Sequence, residues 1–144
     1  GRALHAADDL TSFEATRAAA REAYQMAGVT PADIQLAEVH DCFTIAEIMH
    51  MEDLGFFEAG TGYKAVEEGL TKIDGSKPIN SSGGLKCKGH PVGATGTAQM
   101  IEIWHQLRQT AQERQIPNQD LHLGMTQSIG GTGGTCAVTI LERR

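Results

Sequence analysis

The chain has 144 residues, 40% of them hydrophobic and 21% charged, which is the balance of one soluble globular domain and excludes a fibre or a disordered tail. Twelve basic and 18 acidic side chains leave a net charge of -6, with no basic run longer than Arg143-Arg144, so nucleic acid is not an expected partner. No apolar stretch approaches the roughly 20 residues of a membrane span, and Gly1-Arg2-Ala3-Leu4 lacks the basic and apolar regions of a signal peptide, so a cytoplasmic setting is expected.

In chain order, Phe13, Ala20, Tyr24 and Ala27 recur at helical spacing and predict a helix over 11–27. Asp8, Asp9 or Thr11 are placed to cap its start and Gly28 to stop it. Thr30-Pro31-Ala32-Asp33 reads as a turn, and the alternation in Ile34-Gln35-Leu36-Ala37-Glu38-Val39 as a half-buried strand. Ile45, Ile48, Met49 and Met51 predict a second helix over 44–54, so His40-Asp41-Cys42-Phe43 falls at a strand-to-helix junction, a common place for chemistry in α/β folds. A short helix is expected from Tyr63 to Leu70, and 78–84 reads as a loop. Gly93 opens the longest helix, to Ala111, where Ala94, Ala98, Ile101, Trp104, Leu107 and Ala111 form an apolar stripe widened by Met100 and Ile103, read as the most deeply buried face. Strands over 121–127 and 135–141, joined by the glycine-rich Ser128–Gly134 segment, are expected to pair. The pattern gives one α/β layered domain over 1–144, with a mixed sheet of about five strands covered by helices.

The candidate chemistry sits at three loops. His40 and Cys42 are two residues apart at a strand end, where alternation places both side chains on one face. His90 lies just before Gly93–Gly96, at a helix start whose free N–H groups favour a developing oxyanion. Ser128-Ile129-Gly130-Gly131 ends a strand with glycines that let backbone approach a ligand. Cys136, in an alternating apolar strand, reads as core, and His50 and His105 as helical histidines without partners in sequence.

His40-Asp41-Cys42-Phe43, Gly89-His90-Pro91-Val92-Gly93-Ala94-Thr95-Gly96 and Ser128-Ile129-Gly130-Gly131, in that order, resemble the C-terminal domain of thiolases of the sterol carrier protein 2 type. The resemblance covers nearly the whole chain. It implies a thiolase-like fold and a coenzyme A thioester substrate, cleaved with CoA as a 3-ketoacyl-CoA or built by Claisen condensation, without a resident cofactor. It implies that His90 activates the acyl-accepting cysteine and, with His40, polarises the thioester oxygen. It implies that Cys42 is the acid/base. Other thiolases place that cysteine where Ser128 stands, and a serine hydroxyl is too weak an acid near pH 7, whereas a thiol near pKa 8.5 exchanges protons readily. Gly130 is a candidate backbone oxyanion donor, Ser128 a weak substrate contact, and Lys86 and Lys88 weak candidates for holding CoA. The acyl-accepting cysteine belongs to the N-terminal half of the family's protomer, so the resemblance implies an inactive chain that needs that half in cis or in trans. A homo-oligomer of the complete enzyme is likewise implied.

Three other readings stay open. A thiolase-like aldolase acting on CoA-linked side chains needs a general base but no acyl-accepting cysteine, and a non-catalytic acyl-CoA-binding scaffold needs neither. His40-x-Cys42 with Cys87-x-x-His90 also offers four ligands for a structural zinc, although without the knuckle geometry of common zinc sites; the thiolase reading assigns no metal.

Overall fold

A computed structural model describes residues 9–144. The expected Asp8 cap and the Gly1–Leu4 segment lie outside the described residues. Helix α1 (Glu14–Ala27) ends at Gly28, whose left-handed φ of 68° and N–H bond to the Tyr24 carbonyl close the last turn as the sequence predicts. Its start is held differently from expectation. Asp53, forty residues on, accepts the Phe13 N–H and the Ser12 hydroxyl at 2.6 Å each, while Asp9 caps only Thr11 at 2.8 Å.

A 3-10 turn over Pro31–Asp33 leads into β1 (Leu36–Glu38), followed by α2 (Thr44–Asp53), α3 (Gly62–Glu67), α4 (Gly84–Lys88), α5 (Thr95–Leu107), β2 (Leu123–Gly130) and β3 (Thr135–Glu142). Strand β1 runs parallel to β2, with Leu36 opposite Gly124, and β2 pairs antiparallel with β3 through the hairpin at 131–134, from Gly130 opposite Thr135 to Leu123 opposite Glu142. The sheet is mixed, as expected, but among the described residues it has three strands rather than five. Ile79 adds a single parallel bridge to Ala37 on the free side of β1.

Alternation along the strands splits the core into two faces. Ala37, Val39 and Met125 join Ala20, Met51 and Leu54 on the face covered by α1 and α2. Leu36 joins Ile103, Leu107, Ile116 and Leu121 on the face covered by α5. A Cβ on Gly124 would sit 2.5 Å from Ile103 Cγ2, so that glycine sets how closely α5 approaches the sheet. The arrangement is a three-layer α/β domain, and no helix among the described residues is long and apolar enough to cross a membrane.

Two further expectations require correction. The loop predicted over 78–84 ends in α4, a short helix whose first N–H groups are taken by Asp41. The buried face of α5 is also not the predicted stripe. Thr95, Gln99, Glu102, Ile103, Gln106 and Leu107 face inward, while Ile101 and Trp104 are 52% and 48% exposed. Hydrogen bonds explain how polar side chains displace apolar ones. Gln106 donates to the Arg114 carbonyl (2.6 Å) and accepts the Ile116 N–H (2.9 Å), while Glu102 pairs with Arg114 at 3.1 Å.

Candidate functional site

The parallel pairing of β1 with β2 brings the strand ends of both to one edge of the sheet, where the start of α5 also arrives. There His40, Cys42, His90, Ser128 and Gly130 line one cavity of about 770 Å³, with Phe43 and Val92 exposed at its mouth. Residues spread over 90 positions of sequence thus share one site, as the three-loop reading expects.

The imidazoles of His40 and His90 meet edge to face, 4.8 Å between centroids and 85° between planes. His40 is 4% exposed, and its Nδ1 is buried without a hydrogen-bond partner among the described residues, which leaves Nε2 as the nitrogen open to the cavity. Burial first, and then the neighbouring His90, push His40 below the usual imidazole range, against the opposing pull of Asp41. In the tautomer with its proton on Nε2, a neutral His40 is a hydrogen-bond donor aimed at the cavity.

His90 is set the other way round. Its Nδ1 lies 2.7 Å from Thr95 Oγ1, and the same hydroxyl reaches the Pro91 carbonyl at 3.2 Å. With the hydroxyl proton turned to Pro91, Thr95 Oγ1 accepts from His90 Nδ1–H; turned to Nδ1, it leaves the Pro91 carbonyl to the Ala94 and Thr95 N–H groups, which that carbonyl already accepts at 2.8 and 3.0 Å. The first arrangement puts the lone pair of His90 on Nε2, as a general base at the cavity requires. In that tautomer, beside a His40 protonated on Nε2, one imidazole donates and its neighbour accepts, 4.8 Å apart.

Asp41 ties the first two loops together. Its carboxylate, 2% exposed, accepts the N–H groups of Leu85 (2.7 Å) and Lys86 (3.3 Å), so the segment between His40 and Cys42 grips the short helix that leads to His90. Gly84 makes this contact possible, because with φ at 63° a Cβ there would run into the Asp41 carboxylate.

The two lysines separate. Lys86 stays at the rim, its Nζ donating to the Cys42 carbonyl at 3.1 Å and standing 5.9 Å from the Phe43 ring. Lys88 turns inward to the buried Glu38 at 3.3 Å and the Ser82 hydroxyl at 2.6 Å, and neither lysine lines the cavity itself. The four zinc ligands considered from sequence do not converge, since no three His, Cys, Asp or Glu side chains come together in a metal-holding arrangement among the described residues.

Sequence reading missed three neighbours. Cys136, read as core, is half-buried and lines the cavity, opposite Ile129 in the hairpin register. Burial raises its pKa above the ordinary thiol value, so it stays protonated. Gln127 and His50 are fully buried beside His40. The register across the glycine hairpin is the one signal that points to Cys136; nothing local marks the other two.

A protein-family model described as thiolase C-terminal domain-like matches residues 1–143. The chain is 55% identical over 141 residues to an acetyl-CoA acetyltransferase of Methanothermobacter thermautotrophicus, covering 98% of this chain and 36% of that protein. It is 43% identical over 133 residues to human sterol carrier protein 2, covering 92% of this chain and 24% of that protein. Among solved structures, the Ltp2-ChsH2(DUF35) aldolase superposes with a TM-score of 0.82 over 97% of this chain and 35% of that one, at 24% identity, a likeness of fold. The chain thus spans about a third or less of the length of the relatives it matches.

Proposed function

The chain belongs to the thiolase C-terminal domain family, and from that premise we propose that it is the C-terminal half of an acyltransferase that cleaves or forms 3-ketoacyl-CoA. The observation that carries this reading is the meeting of the His40 and His90 imidazoles and the Cys42 thiol in one cavity. Coenzyme A enters as substrate, and the residues assign no resident cofactor.

In the cleavage direction a cysteine of the N-terminal half gives its proton to His90 Nε2 and attacks the 3-keto carbon. The oxyanion that forms is held by the hydrogen-bond donors of the site. The bond between C2 and C3 then breaks. Its electron pair becomes the enolate of acetyl-CoA, stabilised at the thioester oxygen by His40 Nε2–H, and C2 takes its proton from the Cys42 thiol. A second CoA thiol gives its proton to the Cys42 thiolate and displaces the acyl group from the cysteine, which regains its proton from His90. Ser128 contributes a hydroxyl contact rather than a proton, and Gly130 a backbone N–H near the same oxygen. Lys86, exposed at the rim, is the cation placed to meet CoA phosphates; Lys88, paired with Glu38, is not.

The N-terminal half supplies the nucleophile and covers the exposed side of α5, where Ile101 and Trp104 stand free of this chain's own core. The reading is tested by assaying CoA-dependent cleavage of a short 3-ketoacyl-CoA by this chain alone and joined to its N-terminal half. Turnover only in the joined protein is expected. Cys42→Ala in that protein is expected to abolish exchange of the acetyl-CoA α-protons while the acylated cysteine remains detectable by mass. A folded, joined protein that never acylates would sink the thiolase reading in favour of a CoA-linked aldolase or a binding scaffold.

A further inference from the structure

A buried polar cluster beside His40 takes no part in the steps above. Gln127 from β2 and His50 from α2 are both 0% exposed, and Thr16 from α1 closes over them. Gln127 Oε1 accepts the His40 backbone N–H at 2.9 Å. On the other side of the same amide, Nε2 lies 3.2 Å from Thr16 Oγ1, 3.3 Å from His50 Nδ1 and 3.5 Å from Cys136 Sγ. The Gln127 carbonyl is in turn held by Gln99 Nε2 at 2.9 Å.

One group fixes the orientation of the Gln127 amide. A backbone N–H can only donate, so the oxygen of the Gln127 amide must face His40 and its NH₂ must face His50. His50 Nδ1 faces both the Gln127 NH₂ and the Thr16 hydroxyl at 3.3 Å, two groups that can donate to it, and the tautomer in which Nδ1 accepts carries its proton on Nε2. The Phe13 ring, 4.7 Å from the imidazole centroid, packs against the ring, and burial with the nearby His40 pushes its pKa down to about 3, so it is neutral throughout the neutral range. The surrounding groups do not disturb this. His40 stands at the end of β1 and Cys136 on β3 is a protonated thiol. On His50's own helix, Asp53 is turned to Ser12 and Phe13, and Glu52 to Gly60 and Gly62. His50 Nε2 and His40 Nδ1 are both buried and without a hydrogen-bond partner among the described residues.

We infer that Gln127 and His50 are positioning residues for the reaction: the Gln127 amide, oriented by the Nδ1 acceptor of His50, fixes the His40 backbone so that its Nε2–H is held against the cavity. This rests on the reading of His40 as an oxyanion donor. Neither residue touches substrate. Their effect is on geometry, where displacement by an ångström costs roughly 10- to 100-fold in rate.

The test uses the complete protein, this chain with its N-terminal half. His50→Leu and Gln127→Met, which keep volume but lose the bonds, are expected to lower kcat roughly 10- to 100-fold with KM within about threefold. His50→Asn places an amide oxygen where Nδ1 was and is expected to restore kcat to within about threefold of wild type. Gln127→Glu keeps the acceptor for His40 but turns a carboxylate oxygen toward His50, and is expected to add an ionisation to the pH profile of kcat that wild type lacks. Equal kcat in the Leu and Asn variants, or losses confined to yield of folded protein, would overturn the inference. A second readout is independent of turnover: ¹⁵N-histidine NMR should show His50 protonated on Nε2 and not titrating between pH 5 and 8, and the His40 signals should move in Gln127→Met. A His50 that titrates near its ordinary value overturns the inference even if the wild-type protein proves to have no thiolase activity, whereas an inactive wild type with the expected spectrum counts against the proposed function alone.

Discussion

At the scale of single residues, the chemistry depends on which nitrogen of each histidine carries a proton. For His90 the partner is Thr95, whose hydroxyl lies 2.7 Å from Nδ1 and 3.2 Å from the Pro91 carbonyl. Thr95→Val, which keeps shape but removes the acceptor, is expected to lower kcat of the complete enzyme about tenfold or more, and Thr95→Ser to retain it, as measured by steady-state thiolysis. His50 predicts a pH effect on stability. Its native pKa of about 3 lies below the unfolded value of about 6.5, so between these limits the unfolded chain binds the extra proton. The stabilisation linked to neutral His50 is full above about pH 6.5 and is lost as the pH falls toward 3. Denaturant unfolding at pH 7 and pH 4.5 should show a larger loss in wild type than in His50→Asn, by roughly 2–3 kcal/mol. His40, Cys42 and His90 were legible in the sequence because their neighbours lie within a few positions. Gln127 and His50 were not, because the contacts of Gln127 with His50, His40 and Thr16 span 77 to 111 positions.

At the scale of elements, the turn chemistry of Ser81-Ser82-Gly83-Gly84 reads correctly as a change of direction but conceals a helix. Helix α4 is five residues long, too short to be stable alone, and exists because Asp41 accepts its first N–H groups. Gly84→Ala is therefore expected to act twice, through a left-handed conformation that costs an L-residue about 1–2 kcal/mol and through displacement of the Asp41 carboxylate. The expected outcome is a melting temperature lowered by several degrees, seen by calorimetry, together with reduced turnover as the His90 loop shifts. Gly134→Ala, where a Cβ meets open space at ordinary φ, should change the melting temperature little. Helix α5 shows the complementary failure of reading. Its existence was plain from periodicity, but its buried face was assigned to the apolar stripe, whereas Gln99, Glu102 and Gln106 turn inward because specific partners on β2 and the 111–116 segment wait for them.

At the scale of the molecule, the exposed Ile101 and Trp104 give the complete protein a testable seam. Trp104 is 48% exposed, with Arg108 4.9 Å from its ring and His105 stacked edge to face at 4.8 Å, so little of this chain's own core depends on it. Trp104→Glu is expected to leave the fold of this chain unchanged by circular dichroism while weakening its hold on the N-terminal half. Size-exclusion chromatography of the complete protein with limited proteolysis should then show an opened assembly with turnover lost. Retained compactness and activity would assign the apolar face to something other than that half.

The α/β class, the stop of α1 at Gly28, the pairing of the last two strands and the three side chains proposed to react follow from the sequence by itself, because each rests on local periodicity, turn chemistry or a short motif. The number of strands, the inward face of α5, the pairing of Lys88 with Glu38 and the Gln127–His50 support behind His40 were decided by tertiary structure. The reason is physical. A buried polar group is stable only where its partners are delivered with the right donor and acceptor directions, and those partners come from elements that approach one another only when the sheet has closed its register.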